Sequence, residues 1–385
     1  MNVYFDNSAT TKPYDEVIEA VSKGMKEYFG NPSSLHKIGM NCEKRLNEAR
    51  EYFASTIKCN KEEIYFTSGG SEGNNLILKG LLKPGHHFIT TAFEHHSIIS
   101  TCKQLEEKGV KVTYLDVDSE GRISLEDLEE AITKDTVLVS IMQVNNEIGV
   151  IQDIEAIGKL IKERSSRAKF HVDAVQGYGK LPIDVNKSNV DFLTVASHKI
   201  HGPKGVGALY VSPAVCKSKR LRCIITGGGQ EHDMRSGTEN MPGIAGFAAA
   251  AAWGDKQLRE HLKKLHMLRD HLLQRLQTDP ALSEIQCNYP QSALCAPHIL
   301  SITLPHIKSN TALNFLSARG ICVSGGSACS SNHPQISRTL LHFGLDRNAA
   351  DSTLRISFSP ENTIDQLDRF ADALREAVTT LIRFS

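Results

Sequence analysis

The sequence has no surplus of either charge. Of its 385 residues, 44 are Lys or Arg and 44 are Asp or Glu, so nothing marks nucleic acid or an acidic membrane as a partner. It also has no long apolar run. The stretch Ile244 to Trp253 is too short and too Ala-rich to span a bilayer. Met1 to Asp6 show neither the basic n-region nor the apolar h-region of a secretory leader, so the expected location is cytoplasmic. The nine cysteines contain no Cys-x-x-Cys pair, and the sixteen histidines show no zinc-type spacing. Reduced thiols and the absence of a structural metal are therefore expected. Walker and Rossmann glycine patterns are missing, which argues against a nucleotide ligand. No internal repeat or low-complexity tract is present.

What the chain does have is alternation. Strands are predicted at Glu63–Thr67, His87–Thr91, Lys111–Leu115, Thr136–Ile141, Lys169–Val172 and Asp191–Val195, with helices between most of them. Such spacing predicts an α/β domain with a mainly parallel sheet and helices on both faces. A long helical stretch, Pro242 to about Gln277, carries leucines at helical spacing and reads as packing and a domain connection. Beyond it, predicted strands at His298–Leu304, Ile321–Ser324 and Leu354–Phe358 alternate with helices in a smaller α+β domain. The expected division is 13–254 for the large domain, and 1–12 with 255–385 for the small one.

In sheets of this kind ligands bind beyond the carboxyl ends of the strands. Those ends carry Ser68-Gly69-Gly70-Ser71, Glu94-His95-His96, Asn145-Asn146, Asp173 and Ser197-His198-Lys199. Lys199 follows an apolar run and precedes a Gly-Pro turn, a setting for a partly desolvated amine able to form a Schiff base with an aldehyde. Gly70 and Ser71 open a helix after a strand, where backbone N–H groups and the helix dipole suit a phosphate. Asp173 ends a buried strand and needs a cationic partner. Each has a bland reading as well: a solvated lysine, a packing turn, an N-cap aspartate, or a structural histidine at His95. Together, an amine, a carboxylate, an anion cradle and a histidine meet the requirements of pyridoxal 5'-phosphate.

The resemblance that follows rests on ordered motifs: Tyr4-Phe5-Asp6-Asn7-Ser8-Ala9-Thr10-Thr11, Thr67-Ser68-Gly69-Gly70-Ser71-Glu72, Val144-Asn145-Asn146-Glu147-Ile148-Gly149, His171-Val172-Asp173-Ala174, Ser197-His198-Lys199, Met234-Arg235-Ser236-Gly237-Thr238 and Ser324-Gly325-Gly326-Ser327-Ala328-Cys329. In order, over nearly the whole chain, these resemble the cysteine desulfurases of the class V aminotransferase family, in the branch with the longer active-site loop. The resemblance implies fold type I with a seven-stranded-type sheet. It implies that Lys199 forms the Schiff base and later moves the Cα proton, that Asp173 pairs with the pyridinium nitrogen, and that His95 stacks on the ring and assists proton transfer. Asn146 and Gln176 would lie near the ring hydroxyl or the substrate. Gly70, Ser71, Ser197 and His198 would hold the phosphate, joined by Thr238 from a second subunit of a homodimer. Arg355 would bind the substrate carboxylate as a planar fork. Cys329 by itself reads as an inert buried thiol, but its family position makes it the sulfur acceptor.

The implied reaction converts L-cysteine to L-alanine and leaves a persulfide on Cys329, for delivery to iron–sulfur cluster assembly, tRNA thiolation or another thio-cofactor. A sulfur-acceptor or scaffold protein is the expected partner. Alternatives are a selenocysteine lyase-like or other β-eliminating enzyme, and a catalytically idle sulfur carrier or cluster-assembly scaffold. Departures from the family pattern are Ala196 in place of a hydroxyl residue, Ser71 in place of threonine, no glycine in Ser357-Phe358-Ser359-Pro360, and an unusual His333-Pro334-Gln335.

Overall fold

A computed structural model describes residues 2–289, 294–325 and 336–381. The chain begins with β1 (Val3–Tyr4), α1 (Asp15–Glu27) and α2 (Lys37–Ile57). Alternation follows through β2 (Ile64–Thr67), α3 (Gly70–Leu81), β3 (His87–Thr91), α4 (His96–Glu106), β4 (Lys111–Leu115), α5 (Leu125–Ala131), β5 (Thr136–Met142), α6 (Ile154–Arg164) and β6 (Lys169–Asp173). Next come β7 (Phe192–Ala196), β8 (Gly207–Val211), α7 (Pro213–Ser218) and the long α8 (Met241–Thr278). The remainder holds β9 (Gln286–Cys287), β10 (Ile299–Thr303), α9 (Ser309–Ala318), β11 (Ile321–Cys322), β12 (Ser324–Gly325), α10 (Arg338–His342), α11 (Arg347–Asp351), β13 (Thr353–Ser357) and α12 (Ile364–Thr380).

Seven strands form the main sheet in the order β2-β8-β7-β6-β5-β3-β4. The neighbours from β7 to β4 pair in parallel, while β8 is antiparallel to both β7 and β2. This is the α/β fold with a mainly parallel sheet that the alternation predicts. β8 reverses because only a short turn separates it from β7, and a parallel return needs a longer crossover. All residues of β5 are buried, as expected of a strand covered by helices on both faces.

A second sheet, β12-β13-β10-β9, is antiparallel. The N-terminal segment crosses to this side of the molecule. Val3 and Tyr4 pair in parallel with Ile321 and Cys322, and Asp6 bridges to Ser357. The 38-residue α8 links two apolar cores. Ile244, Phe247, Ala250 and Ala251 pack with the face of the main sheet that α1, α2 and α6 cover. Leu265, Leu268, Leu272 and Leu276 pack with β10, β13 and α12. The leucine spacing predicts this second half. α12 starts on a capping box made by Thr363 and Gln366 and buries Leu367, Phe370, Ala371 and Leu374 at helical spacing.

Candidate active site

The carboxyl ends of β2, β3, β5, β6 and β7 open onto a cavity of about 450 Å³ that Arg355, on β13 of the other sheet, closes from the far side. Volumes of this order suit a small organic ligand. Of the residues singled out from sequence, Gly70, Ser71, His95, Asn146, Asp173, Gln176, His198, Lys199 and Arg355 all line it.

The anion cradle depends on two glycines. Gly69 lies at φ 150°, and a Cβ on Gly70 would come 2.8 Å from Val175 Cγ2, so no other residue type fits here without a shift. Gly70 and Ser71 form the first turn of α3, with its N–H groups unsatisfied by the helix itself. Glu72, in the same turn, accepts from Arg235 Nε at 2.9 Å.

Asp173 is 4% exposed at the end of β6. Its Oδ2 accepts from Asn74 Nδ2 at 2.8 Å and its Oδ1 from the Val175 N–H at 3.0 Å. Lys199 ends the short turn after β7, and its Nζ donates to the carbonyls of Ser8 and Ala9. The N-terminal segment thus covers the lysine. Gln176 Nε2 donates to the Ser8 carbonyl at 2.9 Å. Its Oε1, like Asn74 Oδ1, is buried with no partner among the described residues.

His95 caps α4, its Nδ1 accepting from the Ser97 N–H at 3.1 Å. Burial lowers its proton affinity most, and Lys199 and His96 add to that while Asp173 opposes it. His198 is pushed down to about 4 by burial, with help from Lys199 and Lys204. Glu94, a cavity residue without a predicted role, is pushed up to about 8 by burial.

Arg355 is 2% exposed. It donates from Nη2 to Asp6 Oδ1 at 2.8 Å and from Nη1 to the Asn146 carbonyl at 3.0 Å. Ser324 Oγ donates to the same Asp6 oxygen at 2.8 Å.

Three of the predicted residues stand apart. Ser197 does not line the cavity. Its hydroxyl is buried against Gly202, where a Cβ would approach it to 2.0 Å, because the tight turn folds Gly202 back onto Ser197. Thr238 is exposed, on the loop after Arg235. Cys329 lies outside the described residues, as do His333, Pro334 and Gln335.

The residues fit pyridoxal phosphate on the structure's own terms. A glycine-built cradle, an amine and a buried carboxylate share one cavity, and two buried amide oxygens there lack partners among the described residues. A family model for class-V aminotransferases matches residues 3–370. The chain belongs to that family. Within it, the chain is 40% identical to the cysteine desulfurase IscS of Methanosarcina thermophila, across all of this chain and 93% of the relative. A solved NifS-like protein superposes with a TM-score of 0.91 at 38% identity, covering 99% of this chain and 100% of the other. A structure of SspA in complex with cysteine gives 0.78 at 34% identity, covering 94% and 100%. The chain is thus a class-V aminotransferase-family enzyme of the cysteine desulfurase group, with fold type I architecture.

Sequence reasoning missed Asp6, Asn74, Glu94 and Ser97 as site residues. Asn74 was within reach of a helical argument, since it lies three and four residues after Ser71 and Gly70 and so on the same face of α3. Asp6 had no such signal, because long-range pairing of the N-terminal segment with β11 and β13 brings it to Arg355.

Proposed function

We propose that this enzyme is a pyridoxal-phosphate-dependent cysteine desulfurase that yields L-alanine and a persulfide on Cys329. One observation carries the reading: Lys199 and Asp173 from the main sheet share a cavity with Arg355 from the second sheet. When bound, the cofactor supplies an electron sink joined to the amino carbon of the substrate. Lys199 would attach it, Gly70, Ser71 and His198 would hold its phosphate, and Asp173 would pair with its ring nitrogen. Ser197 contributes to the phosphate site through its place in the turn, and Thr238 from the second subunit of a homodimer.

Arg355 binds the carboxylate of cysteine through its planar fork, and Asn146 and Gln176 flank the bound amino acid. Lys199 Nζ takes the Cα proton. The Cys329 thiolate attacks the substrate sulfur, the carbon–sulfur bond breaks with its electron pair left on the carbon skeleton, Cβ takes up a proton, and Lys199 Nζ returns the Cα proton to complete alanine.

The division into 13–254 and 1–12 with 255–385 belongs to the same reading, supported by two separate apolar cores joined along α8. The homodimer is supported by exposed Ile18, Met25, Phe29, Leu35, Ile38 and Met40 on α1, α2 and the loop joining them. A cytoplasmic location with a sulfur-acceptor or scaffold partner, serving cluster assembly or thiolation, accords with the reduced-thiol reading of the cysteines. No described helix is long and apolar enough to cross a membrane.

The test is direct. Purified protein given L-cysteine without reductant should release alanine and gain sulfur on the Cys329 peptide by mass spectrometry. Borohydride treatment should fix a pyridoxyl group on Lys199. Alanine release from Cys329→Ser at the parent rate, or a pyridoxyl group elsewhere, would overturn the mechanism.

A further inference from the structure

Between Asp173 and His95 lies a continuous chain of short hydrogen bonds. Asn74 Nδ2 donates to Asp173 Oδ2 at 2.8 Å and to Ser97 Oγ at 2.8 Å. Ser97 Oγ lies 2.8 Å from His95 Nδ1, which also accepts from the Ser97 N–H at 3.1 Å. Asn74 is 1% exposed, so its amide has no solvent to turn toward.

The orientation of that amide follows from charge. Flipping it would set Oδ1 against the Asp173 carboxylate, so Nδ2 must face Asp173, and its second proton then points at Ser97 Oγ. A hydroxyl that accepts from Asn74 has its own proton left for His95 Nδ1. That nitrogen therefore meets two donors, the hydroxyl and the backbone N–H of Ser97. A proton on Nδ1 would face both.

We propose that Asn74 and Ser97 form a positioning relay that ties His95 to Asp173 and holds it as the neutral imidazole with its proton on Nε2. The groups facing His95 agree on balance. Burial, Lys199 and His96 oppose its protonation and Asp173 favours it, while His198 is itself held deprotonated nearby. Burial raises the pKa of Glu94, in the same cavity. In this form Nε2 donates a hydrogen bond and does not accept a proton, which leaves proton acceptance in the site to Lys199 Nζ. The relay uses Asn74 Nδ2 alone, and through it Asn74 acts on His95. The catalytic meaning rests on the desulfurase reading, whereas the protonation state itself does not.

The experiment reads the ring nitrogens of His95 by NMR in holoenzyme carrying ¹⁵N-histidine, assigned by their loss in His95→Gln. From about pH 6 to 8, His95 should show a bare Nδ1 and a protonated Nε2. Asn74→Ala frees the Ser97 hydroxyl to rotate and accept. Asn74→Asp reverses it outright, since the hydroxyl then donates its hydrogen bond to the new carboxylate. Both should raise the His95 imidazolium share at pH 7, the second by at least about fivefold. A protonated Nδ1 in the parent, or variants whose His95 signals match the parent, overturn the relay. Should neither variant fold, the parent spectrum decides alone. Failure to form alanine from cysteine would remove the desulfurase reading and leave these signals in place. Intact desulfuration with a protonated Nδ1 would remove the relay only.

Discussion

On the β6 side of the cavity, Asp173 accepts from neutral donors, Asn74 Nδ2 at 2.8 Å and the Val175 N–H at 3.0 Å. On the β13 side, Arg355 meets a charge, Asp6, at 2.8 Å, and one backbone carbonyl at 3.0 Å. Neutral donors orient a carboxylate without cancelling it, so Asp173 can still hold a proton on a ring nitrogen. A guanidinium already paired with a carboxylate has its charge balanced while the site waits, and a substrate carboxylate must share or displace that partner. On the proposed reading, one wall is arranged for a resident group and the other for exchange.

The largest effect should follow from the first wall. Asp173→Asn keeps the size and most of the hydrogen bonding but loses the charge, so cofactor should still bind while turnover falls by about 10²- to 10⁴-fold. Alanine release and cofactor absorbance, measured together, check this, and near-normal turnover would remove Asp173 from its role. Arg355→Lys breaks the second wall more gently. It keeps a charge but loses the fork, and KM for cysteine should rise by about 10- to 100-fold with kcat less affected. An equal fall in kcat at constant KM would mean that Arg355 does not bind the ground-state carboxylate.

Asp6→Asn sharpens the contrast. Without Asp6 the buried Arg355 loses its counterion, and the melting temperature should drop by about 2–5 °C. L-alanine, which carries the carboxylate that Arg355 is proposed to bind, should recover more of that loss in the variant than it adds to the parent. An unchanged melting temperature would show that Asp6 is not the resting partner.

The two walls were not equally legible in the sequence. The first is local in origin. Gly70 and Ser71, His95, Asp173 and Lys199 each sit at the end of a predicted strand, and a parallel sheet gathers such ends by construction. Even β8, whose direction differs from its neighbours, follows from the shortness of the turn that holds Lys199. The second wall depends on contacts across more than 300 residues, as Asp6 with Arg355 and Ser8 with Ser357 show. No periodicity announces these, and Arg355 was readable only through its motif. Ser197 came only from the family resemblance, and no strand-end argument shows that Gly202 folds back to meet its side chain.

The smallest predicted effect tests whether the first wall carries one negative charge or two. Glu94 lines the cavity near Asp173 and is buried. Its Oε1 accepts from Thr91 Oγ1 at 2.8 Å and from the Met142 N–H at 2.9 Å, while Oε2 has no partner among the described residues. Burial, reinforced by the charge of Asp173, raises its pKa from 4.5 to about 8 against the pull of those two donors. Below about pH 4.5, folded and unfolded chains both hold this proton, and the stability linked to Glu94 is fully present. Between there and about pH 8 the unfolded chain releases the proton while the folded one keeps it, so that stability is lost as pH rises, and above about pH 8 the loss levels off. Glu94→Gln has no proton to lose. The variant should gain on the parent by about 1–3 kcal/mol between pH 5 and pH 8.5, read as a difference in unfolding free energy. Glu147, pushed up to about 7 by burial, has the same sign but cancels between variant and parent. A difference that does not change with pH would mean that Glu94 is charged in the folded enzyme and that the cofactor wall bears two carboxylates.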